Sequence, residues 1–183
     1  MMKKWPVFLP FLLLIAIASA RAAVSSIEHE MSQVPADKVY QTVAGIISYS
    51  HWPVPNKIPT LCIFSSAYFL SSLTAPVSTP KTPIFNAVIL ENSRDIPPSR
   101  CDAVYFGRES EAEQLKITEQ LPDYPLLTIA EQNQECTRGS AFCLAFSNKT
   151  VSFSVNLDAL SRTGIRVSPE VLILARSQNE DHE

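Results

Sequence analysis

The sequence contains four cysteines, and their thiol groups and spacing could support redox chemistry or metal binding. Two of them, Cys136 and Cys143, lie in the segment ECTRGSAFC, seven positions apart, and the other two are Cys62 and Cys101. Such a pair can take part in thiol–disulfide exchange, contribute to a metal site, or form a structural disulfide. Each of these alternatives requires a different spacing and different neighbours.

The spacing of Cys136 and Cys143 favours a structural disulfide. Thiol-exchange enzymes of the thioredoxin kind place two residues between their cysteines, which lowers the pKa of the first thiol, whereas six residues intervene here. A zinc site needs close cysteine or histidine pairs, and His29, His51 and His182 are distant in sequence. We therefore interpret the pair as a structural disulfide. A redox-sensing role remains open, and we expect no metal site.

The first residues of the chain predict export. Two lysines precede an apolar run, and small residues follow at the spacing of an A-x-A cleavage site. The uncharged run contains Pro6 and Pro10 and is shorter than the ~20 residues that a membrane-spanning helix needs. We expect a cleaved secretory signal over residues 1–22, followed by a single α/β domain over residues 23–183.

Export would place the four cysteines in an oxidising compartment, where an even number of cysteines indicates disulfides first. Four cysteines allow three pairings. The short segment around Gly139 can fold back and bring Cys136 and Cys143 together, which leaves Cys62 to pair with Cys101. The spacing therefore favours these two pairs over the other combinations.

Composition and motifs argue against several function classes. The formal net charge is −3 and the sequence has no basic cluster, which disfavours nucleic-acid binding because that affinity comes largely from phosphate neutralisation. Nucleophile-elbow and phosphate-binding motifs are absent, and four glycines offer little material for loops that cradle a phosphate. We expect a protein that is not an enzyme and has no cofactor.

The acidic residues most open to a catalytic interpretation have simpler explanations. Glu109, Glu111 and Glu113 fall in the first turns of a predicted helix, whose positive end favours carboxylates. Glu131 and Glu135 are spaced to share one helical face and are interpreted as a surface pair. None of these residues is assigned a chemical role from the sequence.

Alternating strand and helix patterns predict an α/β fold. The sheet is expected to be mixed and mostly parallel, with about five or six strands flanked by helices, and to end in a β-hairpin followed by C-terminal helices. Helices are predicted over 37–50, 109–121, 157–164 and 169–176, with a helical turn over 67–73. Strands are predicted over 60–65, 84–90, 102–107 and 125–130, and the hairpin over 141–147 and 151–156.

Several segments together resemble one family of bacterial proteins. GIISYSHWP, LLTIAEQNQECTRGSAFCLAF and VSFSVNLDALSRTGIRVSPEVLILAR, in that order, are similar to the YfiR family of periplasmic repressors of the membrane diguanylate cyclase YfiN. The similarity covers nearly all of the chain after the predicted signal and is densest over residues 126–176. The proline-rich loop at 74–98 departs from the family pattern.

The resemblance implies a fold, partners and a location. It implies an α/β homodimer in the periplasm with no catalysis, and disulfides that join Cys62 to Cys101 and Cys136 to Cys143. It also implies that the protein represses a YfiN-like cyclase by binding its periplasmic sensor region, which limits cyclic di-GMP signalling and biofilm formation. A YfiB-like outer-membrane lipoprotein would sequester the protein and release the cyclase.

One residue of the predicted hairpin is a candidate for partner contact. Strand alternation in AFCLAFS puts Phe142, Leu144 and Phe146 on one face, and a hairpin at a sheet edge need not bury both faces. Phe142 is either a core residue or an exposed anchor, and we take it as the candidate contact because aromatic residues concentrate binding energy at interfaces.

Disulfide-dependent stability would make such a regulator sensitive to redox conditions. Two other function classes remain open, namely a periplasmic small-ligand-binding protein and a thiol oxidoreductase. The first needs a pocket with converging polar groups, and the second needs an exposed cysteine of low pKa.

Overall fold

A computed structural model describes residues 28–55, 57–75, 83–147 and 149–177. The predicted signal at 1–22 and part of the proline-rich loop lie outside these ranges. The strands are β1 (Ser50–His51), β2 (Thr60–Phe64), β3 (Asn86–Leu90), β4 (Ala103–Phe106), β5 (Leu127–Ala130), β6 (Phe142–Ser147), β7 (Thr150–Val155) and β8 (Arg166–Val167). The helices labelled here are α1 (Ala36–Ser48), α2 (Leu70–Thr74), α3 (Glu111–Glu119), α4 (Leu157–Arg162) and α5 (Val171–Ser177), with a 3₁₀ turn at Ser93–Asp95. Residues 28–33, before α1, are also helical.

The central element is a six-stranded sheet in the order β3-β2-β4-β5-β6-β7. Its first five strands run parallel, and β7 returns antiparallel to β6 as a hairpin. A separate antiparallel pair joins β1 to β8. The architecture confirms the predicted mixed, mostly parallel α/β sheet with flanking helices, a hairpin and C-terminal helices.

The end of α1 differs from its predicted position for a tertiary reason. The helix predicted over 37–50 ends at Ser48, because Ser50 and His51 pair instead with Val167 and Arg166 of β8. A strand partner more than a hundred positions away leaves no local signal in the sequence.

Side-chain caps that are visible in the sequence mark the first residues of α3 and α4. At the start of α3, the Ser110 side chain accepts from the Glu113 backbone N–H while the Glu113 side chain accepts from Ser110, which is a complete capping box. These hydrogen bonds also lower the pKa of Glu113. Asn156 caps α4 by accepting from the Ala159 backbone N–H at 2.9 Å.

Two layers of apolar side chains cover the two faces of the sheet. Leu61 and Ile63 of β2 point to the first face, where α1 contributes its buried side chains at helical spacing. Cys62 and Phe64 alternate to the second face, where α3 contributes Ile117. The apolar side chains of α1 that pack on the first face are Val39, Val43, Ile46 and Ile47.

The β6–β7 hairpin is covered on the first face, and on the second face only Cys143 is buried. Phe142 has no exposed area, and its ring centroid lies 5.6 Å from that of Phe153 in β7. The prediction that Phe142 is an exposed anchor is therefore wrong, because the first face of the hairpin belongs to the core that α1 completes. On the second face, Ala145, Ser147 and Ser154 are exposed.

Replacing Phe142 by alanine should lower the free energy of unfolding by about 3–5 kcal/mol, because a fully buried aromatic ring would leave a cavity. Chemical denaturation followed by circular dichroism measures the change. The matched control is Leu157→Ala, since Leu157 is 74% exposed and should change stability by less than about 0.5 kcal/mol. Equal effects of the two substitutions would contradict the placement of Phe142 in the core.

Candidate functional site

Parallel α/β sheets bind ligands at the carboxyl ends of their strands, where the strand order reverses. In this sheet the reversal lies between β2 and β4, because β3 adds on one side of β2 and the chain then crosses to the other side. The residues that follow β2 and β4 therefore form the position at which a ligand of this fold class would be expected.

Glu109 lies in the segment that follows β4, at the carboxyl end of the sheet. Its Oε1 atom accepts from the Ser66 hydroxyl at 2.7 Å, and its Oε2 atom accepts from the Gly107 backbone N–H at 2.8 Å. A Cβ atom on Gly107 would overlap the backbone of Ala67, so only glycine lets the two segments approach this closely. The turn after β2 is thus pressed against the end of β4.

Glu131 lies directly after β5 and contacts the same turn after β2. Its carboxyl oxygens accept from the backbone N–H groups of Tyr68 at 2.5 Å and Phe69 at 3.3 Å, and from the Tyr105 hydroxyl at 3.0 Å. Backbone N–H groups in such turns are ordinary anion-binding groups. Here the protein's own carboxyl groups occupy them, which leaves no open anion site on these atoms.

Burial perturbs the ionisation of this group. Only 1% of Glu131 is exposed, and burial raises its pKa from 4.5 to about 7 despite the three hydrogen bonds, which act in the opposite direction. The charge of Glu109 adds to the rise. The pKa of Tyr105 is raised well above its ordinary value by burial and by Glu131.

The interpretation of Glu131 and Glu135 as a surface pair is wrong. Glu135 is exposed, but Glu131 ends a buried strand and points into the protein. The sequence does contain a usable signal, because a carboxylate directly after the apolar run LLTIA falls at the carboxyl end of a parallel strand.

Both cysteine pairs form disulfides in the pairing that the spacing favoured. The Cα atoms of Cys62 and Cys101 are 5.6 Å apart, and those of Cys136 and Cys143 are 5.7 Å apart. All four side chains are buried. Burial disfavours thiol–disulfide exchange, because an attacking thiolate needs access to a sulfur atom.

A buried polar network holds the loop that the second disulfide closes. Gln114 of α3 has no exposed area, and its Oε1 atom accepts from the Ser140 hydroxyl at 2.8 Å and from Asn133 Nδ2 at 3.4 Å. Asn133 also donates to the Arg138 carbonyl at 2.7 Å and accepts from the Cys136 backbone N–H at 3.1 Å. The Gln114 side chain thus connects α3 to Asn133 before the loop and to Ser140 near its end.

The backbone of this loop is strained where it turns. Gly139 has φ +84°, and a Cβ atom there would lie 2.6 Å from Gln114 Oε1. Cys136 also has positive φ, at 49°, which costs free energy for a residue with a side chain. The disulfide and the polar network together maintain this conformation.

A cavity of about 680 Å³ opens beside the loop, between α3 and α4. Its volume is in the range of small-molecule sites. Arg138 of the loop and Arg162 of α4 line it together with Tyr124 and Leu115, and the buried Thr128 of β5 also contributes. Glu119 and Asp158 also line the cavity, and Asp158 pairs with Arg162, so the lining offers carboxylate as well as cationic, hydroxyl and apolar groups.

Within the described ranges, no three histidine, cysteine or carboxylate side chains are grouped so that they could hold a metal ion. No helix there is both long enough and apolar enough to cross a membrane.

Replacing Gln114 by alanine should lower the free energy of unfolding by about 2–4 kcal/mol, because Ser140 and Asn133 would both lose a buried acceptor. The same change should speed reduction of Cys136–Cys143 by a mild thiol, which mass spectrometry of alkylated protein can follow. Gln120→Ala at the exposed end of α3 is the matched control. Unchanged reduction kinetics would contradict the role of the network.

A family model described as YfiR/HmsC-like matches residues 37–176. The match extends from the first turn of α1 into α5, and includes the sheet, both disulfides and the loop between Cys136 and Cys143.

Proposed function

Because the chain belongs to the YfiR/HmsC-like family, we propose that it represses a membrane-bound diguanylate cyclase by binding the cyclase's periplasmic sensor region. Members of this family are periplasmic regulators. By limiting the cyclase, the protein would restrict cyclic di-GMP signalling and biofilm formation.

The family match is the observation that carries the proposal, and two structural features support it. Two buried disulfides suit an oxidising compartment such as the periplasm. The position at which this fold class holds ligands is filled by the side chains of Glu109 and Glu131. A binding role without catalysis agrees with both features.

The hairpin offers a surface for this role. On its second face the exposed or half-exposed side chains are small, so a partner's backbone could approach closely. Among the described residues, no strand pairs with the outer edge of β7. We call this surface the open hairpin face, and it consists of Ala145, Ser147, Ser152 and Ser154.

The Cys136–Cys143 disulfide attaches this face to the rest of the fold. Cys143 lies in β6 opposite Ser154, and the Sγ atom of Cys136 lies 3.6 Å from the Ser154 carbonyl. Reduction of this bond would loosen the face locally. Redox sensitivity of the regulator then follows from the position of the disulfide.

Two further partners belong to the proposal. A second copy of the chain would form a homodimer, and the exposed Leu172 and Ile173 of α5, at 50% and 59%, offer an apolar surface for it. A YfiB-like outer-membrane lipoprotein would sequester the regulator. Light scattering of the purified protein tests the first of these.

Replacing Ser154 by arginine should weaken binding to the isolated periplasmic region of the cyclase at least tenfold, because a long cation would block close approach to the open hairpin face. Surface plasmon resonance with both purified proteins measures the affinity. Ser71→Arg on α2 is the matched control, since Ser71 is exposed and α2 lies against the other face of the sheet. Absence of binding by the unsubstituted protein would reject the proposed function itself.

Removing the second disulfide should weaken repression. The pair of substitutions Cys136→Ala and Cys143→Ala should lower the free energy of unfolding by about 2.5 kcal/mol in the chain-entropy model and raise cyclic di-GMP in cells. Removing Cys62–Cys101 should cost more stability, about 4 kcal/mol, because its loop is longer. Unchanged cyclic di-GMP at equal protein level would argue against coupling between the disulfide and repression.

The cavity beside the disulfide loop favours small-ligand binding as the second candidate function. A ligand held by Arg138 would raise the melting temperature of the purified protein, and Arg138→Ala should abolish the rise, whereas Arg162 already pairs with Asp158. The thiol oxidoreductase alternative is disfavoured, because all four cysteines are paired and buried.

A further inference from the structure

The cavity between α3 and α4 contains a buried hydroxyl group whose proton the protein does not use. Thr128 of β5 lines this cavity and is only 2% exposed. Its hydroxyl oxygen accepts from the Ala141 backbone N–H at 2.7 Å, but the hydroxyl donates to no residue that the structure describes. A buried donor without an acceptor costs free energy. Thr128 therefore offers a hydrogen bond to an acceptor inside the cavity.

Arg138 adds a cation near this hydroxyl group. It lies in the loop closed by Cys136–Cys143, which we call the stapled loop, three positions before Ala141. Over the described ranges, Arg138 forms no ion pair. A guanidinium group only donates hydrogen bonds, and it binds carboxylates with particular strength. Arg138 and Thr128 together therefore favour an oxyanion as the polar group of a ligand.

The charges of the lining favour an anion with a single negative charge. Arg138 and Arg162 are the cations that line the cavity, and their formal charges are balanced by the carboxylates of Glu119 and Asp158. Because Asp158 pairs with Arg162, Arg138 is the cation left to attract an anion. A second negative charge on the ligand would be repelled by Glu119 without a further cation to balance it.

Much of the remaining wall is apolar or aromatic and comes from α3 and the segment that follows it. The side chains of this kind are Leu115, Leu121, Pro122, Tyr124 and Leu126. Such a wall favours a hydrocarbon or aromatic group, because contact removes apolar surface from water. The volume of about 680 Å³ has room for such a group beside a carboxylate.

We propose that this cavity binds a small monocarboxylate with an apolar or aromatic body. Arg138 pairs with the carboxylate, Thr128 donates its hydroxyl proton to the same group, and the body lies against the apolar wall. The proposal names the ligand class of the small-ligand function given above as the second candidate, and it rests on that function. It does not depend on repression of a cyclase.

An NMR titration of the purified, ¹⁵N-labelled protein tests the proposal. The probe is 3-phenylpropanoate, and 3-phenylpropanamide is its neutral match, with the same ring and chain. The carboxylate should bind at least about tenfold more tightly than the amide, because hydrogen bonds to a charged group are stronger than those between neutral groups. Inorganic phosphate, which lacks the apolar body, should bind more weakly than the carboxylate.

The glycine signals show where the probe binds. The chain has only four glycines, so their N–H signals are few, and Gly139 lines the cavity directly after Arg138. The Gly139 signal should shift as 3-phenylpropanoate is added. Gly45 is the internal control and should not shift, because it lies in α1 against Leu174 of α5 and outside the cavity.

Two substitutions identify the groups that hold the carboxylate. Arg138→Gln should weaken binding of 3-phenylpropanoate at least about tenfold and leave binding of the amide unchanged. Arg94→Gln, in the exposed 3₁₀ turn outside the cavity, is the matched control and should bind the probe as the unsubstituted protein does. Thr128→Ser keeps the hydroxyl group and should retain binding, whereas Thr128→Val should weaken it.

The outcomes separate the ligand class from the site. Equal affinity for the carboxylate and the amide would retain a small-ligand site but overturn the carboxylate assignment, and so would unchanged affinity in Arg138→Gln. Phosphate binding as tight as that of the carboxylate would overturn the preference for a monoanion with an apolar body. If neither organic probe shifts Gly139, the small-ligand candidate fails as well. The cyclase proposal is measured separately, by direct binding of the cyclase's periplasmic region.

Discussion

The central strands β2, β4 and β5 are buried on both faces of the sheet, and this constraint governs much of the structure. Polar groups at the ends of such strands are cut off from water, and leaving them without partners would cost about 1–3 kcal/mol each. The chain supplies the partners from its own side chains. Glu109 and Glu131 serve the carboxyl ends, and Gln114 serves the loop before β6.

The Glu109 and Glu131 side chains fill the position at which this fold class often binds ligands. Where comparable sheets leave turn N–H groups free for an anion, Glu131 holds those of Tyr68 and Phe69. The cavity lies elsewhere, beside α3, α4 and the stapled loop. A regulatory family is compatible with a crevice that the protein's own side chains fill.

The second disulfide connects these features. Cys143 lies in β6, and Cys136 lies in the loop that Gln114 and Asn133 position. The loop has positive φ at Cys136 and Gly139, so its conformation needs both the covalent bond and the polar network. The disulfide and the network therefore act together where the chain enters β6, the first strand of the hairpin.

Much of the fold could be predicted from the sequence because its signals are local. Apolar spacing indicated α1, short apolar runs indicated the strands of the sheet, and the seven-position spacing of Cys136 and Cys143 favoured their disulfide. The resemblance over residues 126–176 pointed to the family that the comparison with family models then showed. Each of these signals lies within one segment of the chain.

What only the tertiary structure decided depends on contacts between distant segments. Alternation correctly places Phe142 with Leu144 and Phe146, but only the packing of the first face shows that α1 completes the core over them. The spacing of Glu131 and Glu135 predicts a surface pair, whereas the donors that hold Glu131 lie more than twenty positions away, on the turn after β2 and on β4. A sequence determines which face a side chain shares with its neighbours, whereas the rest of the fold determines whether that face meets water.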